Sequence, residues 1–444
     1  MPIVQNGIAV AQQLLERVLE ARRHSDALFQ IVQPDSMFER PIPERHRIIF
    51  YLGHLEAFDW NLLRESVLGL KSFHPAFDRL FAFGIDPVDG GLPSDQVSDW
   101  PSLPEVRDYV RGIRSAMDEQ LAAGNLALDA PACDGFSLDT LLNVAMEHRL
   151  MHVETLAYML QQLPTDRKLR VASAPVSVAS PPEHRMIEIP AGEAVLGLPR
   201  DGGRFGWDNE FEAHTAIVPR FEIDRYMVTN RQFLAFINSG GYQTRSFWSQ
   251  DDWDWKSASG ISHPVFWKRQ NDTWRYGTMF GEVALPSDWP VYVSQAEASA
   301  YARWAGKTLP TEEQWHRAAY GSPDGVQRDY PWGRYAPDPS LGNFDLTHWD
   351  PAPVHAYPGG KSAFGVEGLL GNGWEWTASI FAPFLGFQPF PFYPGYSANF
   401  FDGKHFVMKG GSTRTAACML RPTFRNWFQA HYQYVYAGFR CVNV

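Results

Sequence analysis

His148 and His152 are the residues whose spacing points most directly to chemistry. In Glu147-His148-Arg149-Leu150-Met151-His152-Val153-Glu154 the two histidines stand four apart. On a helix that spacing puts both rings on one face, about one turn apart, so both can reach one metal ion. A zinc protease would place glutamate directly after the first histidine, as H-E-x-x-H. Here Arg149 follows, and that reading fails. Glu154 lies off the ligand face and is expected to accept an N–H from a ligand imidazole. The third ligand has to come from another helix. His54, in Tyr51-Leu52-Gly53-His54-Leu55-Glu56, sits among apolar neighbours, where a lone histidine is usually a satisfied core residue. The pair at 148 and 152 turns it into the expected third ligand. His74 competes, but Pro75 beside it indicates a helix end.

Three neutral imidazoles on one face of an octahedral ion leave three adjacent positions for water, a soft thiolate or selenolate, and dioxygen. Fe(II) suits such a site because it can pass electrons to oxygen. Spacing alone leaves zinc, nickel and copper open.

The elements that must position these residues are helices. Ile8 to Arg22, Ile48 to Leu70, Pro104 to Leu121 and Leu138 to Leu163 carry apolar residues at helical spacing, and Ser25 could cap a following segment. Four such stretches predict a bundle, whose interior commonly holds metal ligands. Pro164-Thr165 ends the last. Val171 to Pro182 is small, Pro-rich and uncharged, as a linker would be. The expected division is a helical domain at 1–168, a linker at 169–185 and a second domain at 186–444. That domain reads as α+β with little regular structure. Short β-like pieces (Met186–Ile189, Phe221–Val228) alternate with turn residues, and helices are expected at Asn230–Asn238 and Ser294–Ala305. Ser294 with Glu297 forms a capping box, and Thr311 with Gln314 marks another helix start.

Composition bounds the partners. A net charge of −11 with no basic stripe argues against nucleic acid or an anionic membrane. No apolar run approaches the roughly 18 residues that a membrane span needs. The N-terminal residues lack a basic-then-apolar leader. Three cysteines (Cys133, Cys418, Cys441) are too few and scattered for a disulfide framework. A soluble cytoplasmic protein acting on small molecules is the expectation.

The arrangement of His54 with His148-x3-His152-x-Glu154 in an N-terminal bundle resembles the DinB-like domain of the ergothioneine sulfoxide synthases. The second half resembles the formylglycine-generating-enzyme fold, a C-type-lectin-like domain, that follows it in that family. The motifs carrying this are Ile189-Pro-Ala-Gly192, Phe205-Gly-Trp-Asp-Asn-Glu210, Val228-Thr-Asn230, Trp289-Pro-Val291, Leu309-Pro-Thr-Glu312 with Trp315, Gly371-Asn-Gly-Trp-Glu-Trp-Thr377, Gly410-Gly-Ser412 and Gly438-Phe-Arg440. The formylglycine-generating enzyme itself holds copper through two nearby cysteines late in its chain. Cys418 has no such neighbour in sequence, which disfavours it. Trp374, Trp376, Gly410, Gly411 and Gly438 read first as core pins and turns.

The resemblance implies Fe(II), dioxygen as co-substrate, and hercynine, the trimethylated betaine of histidine. It places hercynine against Thr423-Phe-Arg-Asn-Trp427. Aromatic faces such as Trp427 and Phe428 suit a quaternary ammonium, and Asn426 can both donate and accept. Relatives using γ-glutamylcysteine carry an acidic residue and an arginine where this chain has Phe428 and Tyr432. The usual glutamine before the second helix histidine is Met151. Phe384 stands where one subgroup has its proton-donating tyrosine, and Leu80 to Asp86 lacks the paired tyrosines of another. Tyr393, Tyr396, Tyr432 and Tyr434 are the remaining proton-donor candidates. These departures lean toward the selenoneine synthase branch, which couples hercynine to a selenosugar. Cysteine or γ-glutamylcysteine is the alternative donor, and a zinc thiol transferase or a non-catalytic binding module lies further off.

Overall fold

Helical periodicity in the first part of the chain and short, turn-bounded strands in the second divide the protein into two units, Met1–Val171 and Ala172–Val444. This computed structural model describes residues 2–82, 92–123, 131–133, 135–171, 175–180 and 182–443; the side chains of residues 2–12, 14 and 131–133 are outside that description.

The first unit is a bundle of α1 (Pro2–Gln30), α2 (Ile48–Leu63), α4 (Leu103–Ala122) and α5 (Leu138–Gln162), with the short α3 (Pro75–Leu80) after α2 and a small hairpin of β1 (Pro131–Cys133) and β2 (Phe136–Ser137) before α5. Local signals set the ends. Ser102 and Glu105 form a capping box on α4, and the Ser137 hydroxyl accepts from the Thr140 N–H at the start of α5. α1 runs beyond the expected Arg22, and Ser25 caps nothing: inside the helix its hydroxyl donates to the Arg22 carbonyl at 2.9 Å. α2 ends at Leu63, short of Leu70: the Val67 and Leu68 N–H groups both donate to the Leu63 carbonyl, and around the left-handed Gly69 (φ +65°) the chain folds back with Leu70 N–H donating to the Arg64 carbonyl. Helix α1 packs against α4 and α5, and α2 packs against the same two. The neighbours α2 and α5 carry the three histidines.

The second unit contains β3 (Met186–Ile189), β4 (Gly192–Leu196), β5 (His214–Val218), β6 (Phe221–Asp224), α6 (Asn230–Asn238), α7 (Gln250–Ala258), β7 (Trp267–Gln270), β8 (Thr273–Thr278), β9 (Gly281–Ala284), α8 (Gln295–Trp304), α9 (Glu312–Tyr320), β10 (Gly373–Ile380), β11 (His405–Gly411), β12 (Asn426–Gln429), β13 (Ala437–Gly438) and β14 (Val442–Asn443). Its largest sheet has the order β12-β11-β10-β13. Antiparallel register sets Glu375 opposite Lys409 and Val407 opposite Trp427. Ile189, Phe221, Ile223, Trp315, Leu369 and Val442 form one core with α9. Glu375 lies fully buried between the two core tryptophans and accepts from Arg440 (2.6 Å to each oxygen) and from Trp315 Nε1 (2.8 Å). The Trp-Glu-Trp motif is thus the pin of this domain. Both capping boxes, Ser294–Glu297 and Thr311–Gln314, form. α7 is the helix the sequence concealed: its residues are mostly polar, and only Ser249 accepting from the Asp252 N–H marks its start.

Candidate metal centre

Histidines at 148 and 152 on α5 face His54 on the neighbouring α2. One nitrogen from each ring lies within 4.8 Å of the others, and all three side chains are buried. Nε2 of His148 and Nε2 of His152 are 3.1 Å apart. That is close to the ~3 Å edge between two nitrogens on adjacent positions of a metal with bonds of about 2.1 Å. His54 Nδ1 lies 2.7 Å from the Phe81 carbonyl. A carbonyl can only accept, so Nδ1 carries the proton and Nε2 is left with its lone pair. That Nε2 is buried with no hydrogen-bond partner in the protein.

Burial pulls the His54 imidazole down to about 4, opposed by the hydrogen bond to the Phe81 carbonyl. Burial, reinforced by the other imidazoles, takes His148 and His152 well below the ordinary histidine value. All three rings are therefore neutral at pH 7, with lone pairs converging on one small volume. The donor set fits a divalent ion that accepts imidazole nitrogen; it excludes neither iron nor zinc.

Beneath the histidines, Arg149 makes the contact that fixes α5 against α2. It donates to Glu56 (2.9 Å), Asp59 (2.6 Å) and the Leu55 carbonyl (3.1 Å), with both carboxylates nearly inaccessible. Arg114 of α4 bonds Glu56 and Asp26 of α1. Burial alone would raise the Glu56 carboxyl, but Arg149, Arg114 and Arg22 outweigh it and bring it to about 2. For Asp59 burial wins and the value rises. The residue that excluded a zinc protease is thus the structural clamp of the site. Glu154 is buried on the same helix. His74 lies outside the triad; its Nδ1 caps α3 by accepting from the Phe77 N–H.

In the second unit the residues expected to contact substrate separate into two groups. Side chains alternate across β12. Trp427 stacks on Phe381 (4.2 Å between centroids, 6° between planes) and meets Tyr396 and Phe400 edge-on or tilted. Phe428 stacks on Tyr432 (4.9 Å, 14°), which touches Tyr434. Trp427 and Phe428 therefore do not share one face. Asn426 is half-buried and its side-chain oxygen accepts from the Trp427 N–H. Tyr393 packs on Tyr396. Phe384 lies under Arg425 and against His214. Met151 is half-buried on α5 between the histidines. Phe83 to Asp86 of the tyrosine-free loop lie outside the described residues. Cys418 is exposed, whereas Cys441 is buried and its thiol is raised well above its ordinary value by that burial.

Sequence reasoning passed over the anchors of β12. Arg421 and Thr423 bond the fully buried Glu210, and Arg425 forks onto Glu312 at 3.0 Å. Their only signal was charge in an apolar stretch.

A helical bundle with an imidazole triad joined to an α+β domain pinned by Trp-Glu-Trp defines a class of two-domain protein, and family models agree. Residues 17–156 match the DinB superfamily, and residues 172–444 match the sulfatase-modifying factor enzyme 1-like domain. A hercynine oxygenase of Mycobacterium tuberculosis is 38% identical over 337 residues, covering 75% of this chain and 76% of that protein. A hercynine oxygenase of Mycolicibacterium thermoresistibile is 42% identical over 252 residues, 55% of this chain and 56% of its own length. Ergothioneine biosynthesis protein 1 of Neurospora crassa is 27% identical over 500 residues, 93% of this chain and 55% of that one. The chain belongs to the ergothioneine sulfoxide synthase-like family, of which the hercynine oxygenases are members. Among the described residues no helix is long and apolar enough to cross a membrane.

Proposed function

We propose that this chain is an Fe(II)- and dioxygen-dependent enzyme that bonds a chalcogen to the imidazole carbon of hercynine between its two nitrogens. The observation carrying this is the buried triad of neutral imidazoles, whose nitrogens lie within 4.8 Å of one another with no carboxylate or thiolate among them. His54, His148 and His152 would hold the ion, and iron bound there supplies electrons for dioxygen while keeping positions open for a chalcogen anion. Joining C–H to the chalcogen releases two electrons and oxidising the chalcogen releases two more. These account for the four that dioxygen takes, with one oxygen atom on the product and one leaving as water.

The protein's own work is positioning. Arg149 holds α2 and α5 in register. Asn426 and the aromatic cluster of Trp427 and Tyr396 are assigned the betaine end of hercynine, where a ring face attracts the trimethylammonium by about 1–2 kcal/mol when dry. Glu154, expected to accept from a ligand imidazole, is not the partner of His54, whose Nδ1 is held by the Phe81 carbonyl instead. For the donor we favour a selenosugar over γ-glutamylcysteine. Phe428 and Tyr432 stack on one another and present no charge to a charged dipeptide, whereas a neutral sugar packs well on ring faces. Cysteine or γ-glutamylcysteine with sulfoxide formation is the second reading, supported by the likeness to hercynine oxygenases and to ergothioneine biosynthesis proteins. The cytoplasm is the compartment we assign.

The test is anaerobic reconstitution with Fe(II), followed by mass spectrometry of products from hercynine with selenoglucose, cysteine and γ-glutamylcysteine in competition. Oxygen-dependent joining of the selenosugar supports the first reading. A sulfoxide from cysteine or the dipeptide supports the second. Turnover without oxygen uptake, or none with any donor, rejects both.

A further inference from the structure

Gly53 precedes a ligand histidine in the middle of α2, where glycine costs a helix roughly 1 kcal/mol relative to alanine. The reason lies in the segment after α3. A Cβ built at position 53 would come within 2.5 Å of Cδ1 and Cε1 of the Phe81 ring. That ring cannot step aside. It is fully buried and packed by Phe77, Trp100 and Tyr109 at 5.7 to 6.0 Å between centroids. Asp78 locks the preceding turn in place by accepting from Tyr109 (2.7 Å), Arg64 (2.9 Å) and Ser72 (2.5 Å), while Asn61 of α2 donates to its carbonyl. The Phe81 carbonyl is the atom that accepts from His54 Nδ1.

We propose that Gly53 and Phe81 form a positioning device for the metal site. Phe81's ring fills the space of the missing Cβ, and that close approach lets its carbonyl reach His54 and set both the tautomer and the ring orientation. Neither residue touches the metal or substrate. Outer partners of this kind typically govern 10- to 100-fold in metal affinity. The inference rests on the metal reading of the triad for its affinity effect, but the tautomer claim stands on the protein alone.

Two measurements on the full chain test it. In metal-free protein with nitrogen-15 histidine, long-range proton–nitrogen correlation should show His54 protonated at Nδ1, and Gly53→Ala should shift it toward Nε2. Co(II) titration followed by visible absorption should show Gly53→Ala about 10- to 100-fold weaker than the original chain, with an altered spectrum. Gly53→Ala combined with Phe81→Ala keeps the carbonyl while removing the clash, and should regain most of the affinity. Thermal melts of the metal-free variants separate this from misfolding, since a merely unstable chain would not be rescued by deleting a second core ring. The proposal is overturned if Gly53→Ala keeps the original tautomer and affinity, or if the double variant binds no better than the single one. If Co(II) fails to bind even the original chain while the tautomer shift appears, the positioning device stands and the metal reading falls.

Discussion

The helical unit and the second unit both rely on buried ion pairs, but they use them for different tasks. In the bundle, Arg149 lies on the same helix as two of the histidines, and its acceptors Glu56 and Asp59 follow the third on α2. Anchor and reactive nitrogens thus move together as rigid helices. In the second unit, Glu210 and Glu312 grip Arg421 and Arg425, residues in a loop that then delivers Asn426 and Trp427 on a short edge strand. There the anchors fix a loop, and the functional side chains hang from its end. The difference teaches that the first site should fail as a unit, whereas the second should lose aim by degrees.

The sharpest break is removal of a ligand. His148→Ala should lower Fe(II) affinity at least ~100-fold and abolish oxygen uptake; metal analysis after gel filtration checks it. Arg149→Met strands the buried Asp59 and takes from Glu56 one of its arginine partners, Arg114 and Arg22 remaining; it should cost about 3–5 kcal/mol in urea unfolding, with metal binding lost in parallel. Glu312→Gln weakens the corresponding anchor in the second unit. It should lower the apparent affinity for hercynine about 10-fold while leaving the Co(II) titration unchanged, and equal loss of both would erase the contrast between the units. Acid sharpens it further. His54 is neutral in the fold down to about pH 4 but takes a proton near 6.5 when unfolded. The unfolded chain therefore binds more protons between those values. Stability of the metal-free protein should be full above pH 6.5 and fall by on the order of 3 kcal/mol from His54 alone on approaching pH 4; denaturant midpoints across that range measure it. The last effect is in donor choice: Phe428→Asp with Tyr432→Arg should shift the product ratio toward γ-glutamylcysteine by about 10-fold, roughly 1.4 kcal/mol.

The helical unit was largely legible because its geometry is periodic. Four residues along α5 is one turn, so the pairing of His148 with His152 followed from spacing; in the second unit, only the capping boxes at Ser294 and Thr311 followed as directly, from local chemistry. The boundary at Leu70 and the role given to Ser25 were not legible, since a left-handed glycine and an in-helix hydroxyl look the same in sequence as a helix interior and a cap. The Phe81 carbonyl was hidden for a different reason. It is a backbone atom, brought to His54 by a turn that Asp78 holds from three sides. In the second unit the grouping of Trp427 apart from Phe428 depends on strand alternation at an edge too short to announce itself.

Three imidazoles around one open iron can be seen by X-ray absorption of the Fe(II)-loaded chain, kept anaerobic, beside His54→Ala. One iron per chain should be bound by three imidazoles with the remaining positions filled by solvent oxygen, and by one imidazole fewer, or no iron, in the variant. A shell closed by a fourth protein ligand, or an iron environment unchanged by His54→Ala, would contradict it.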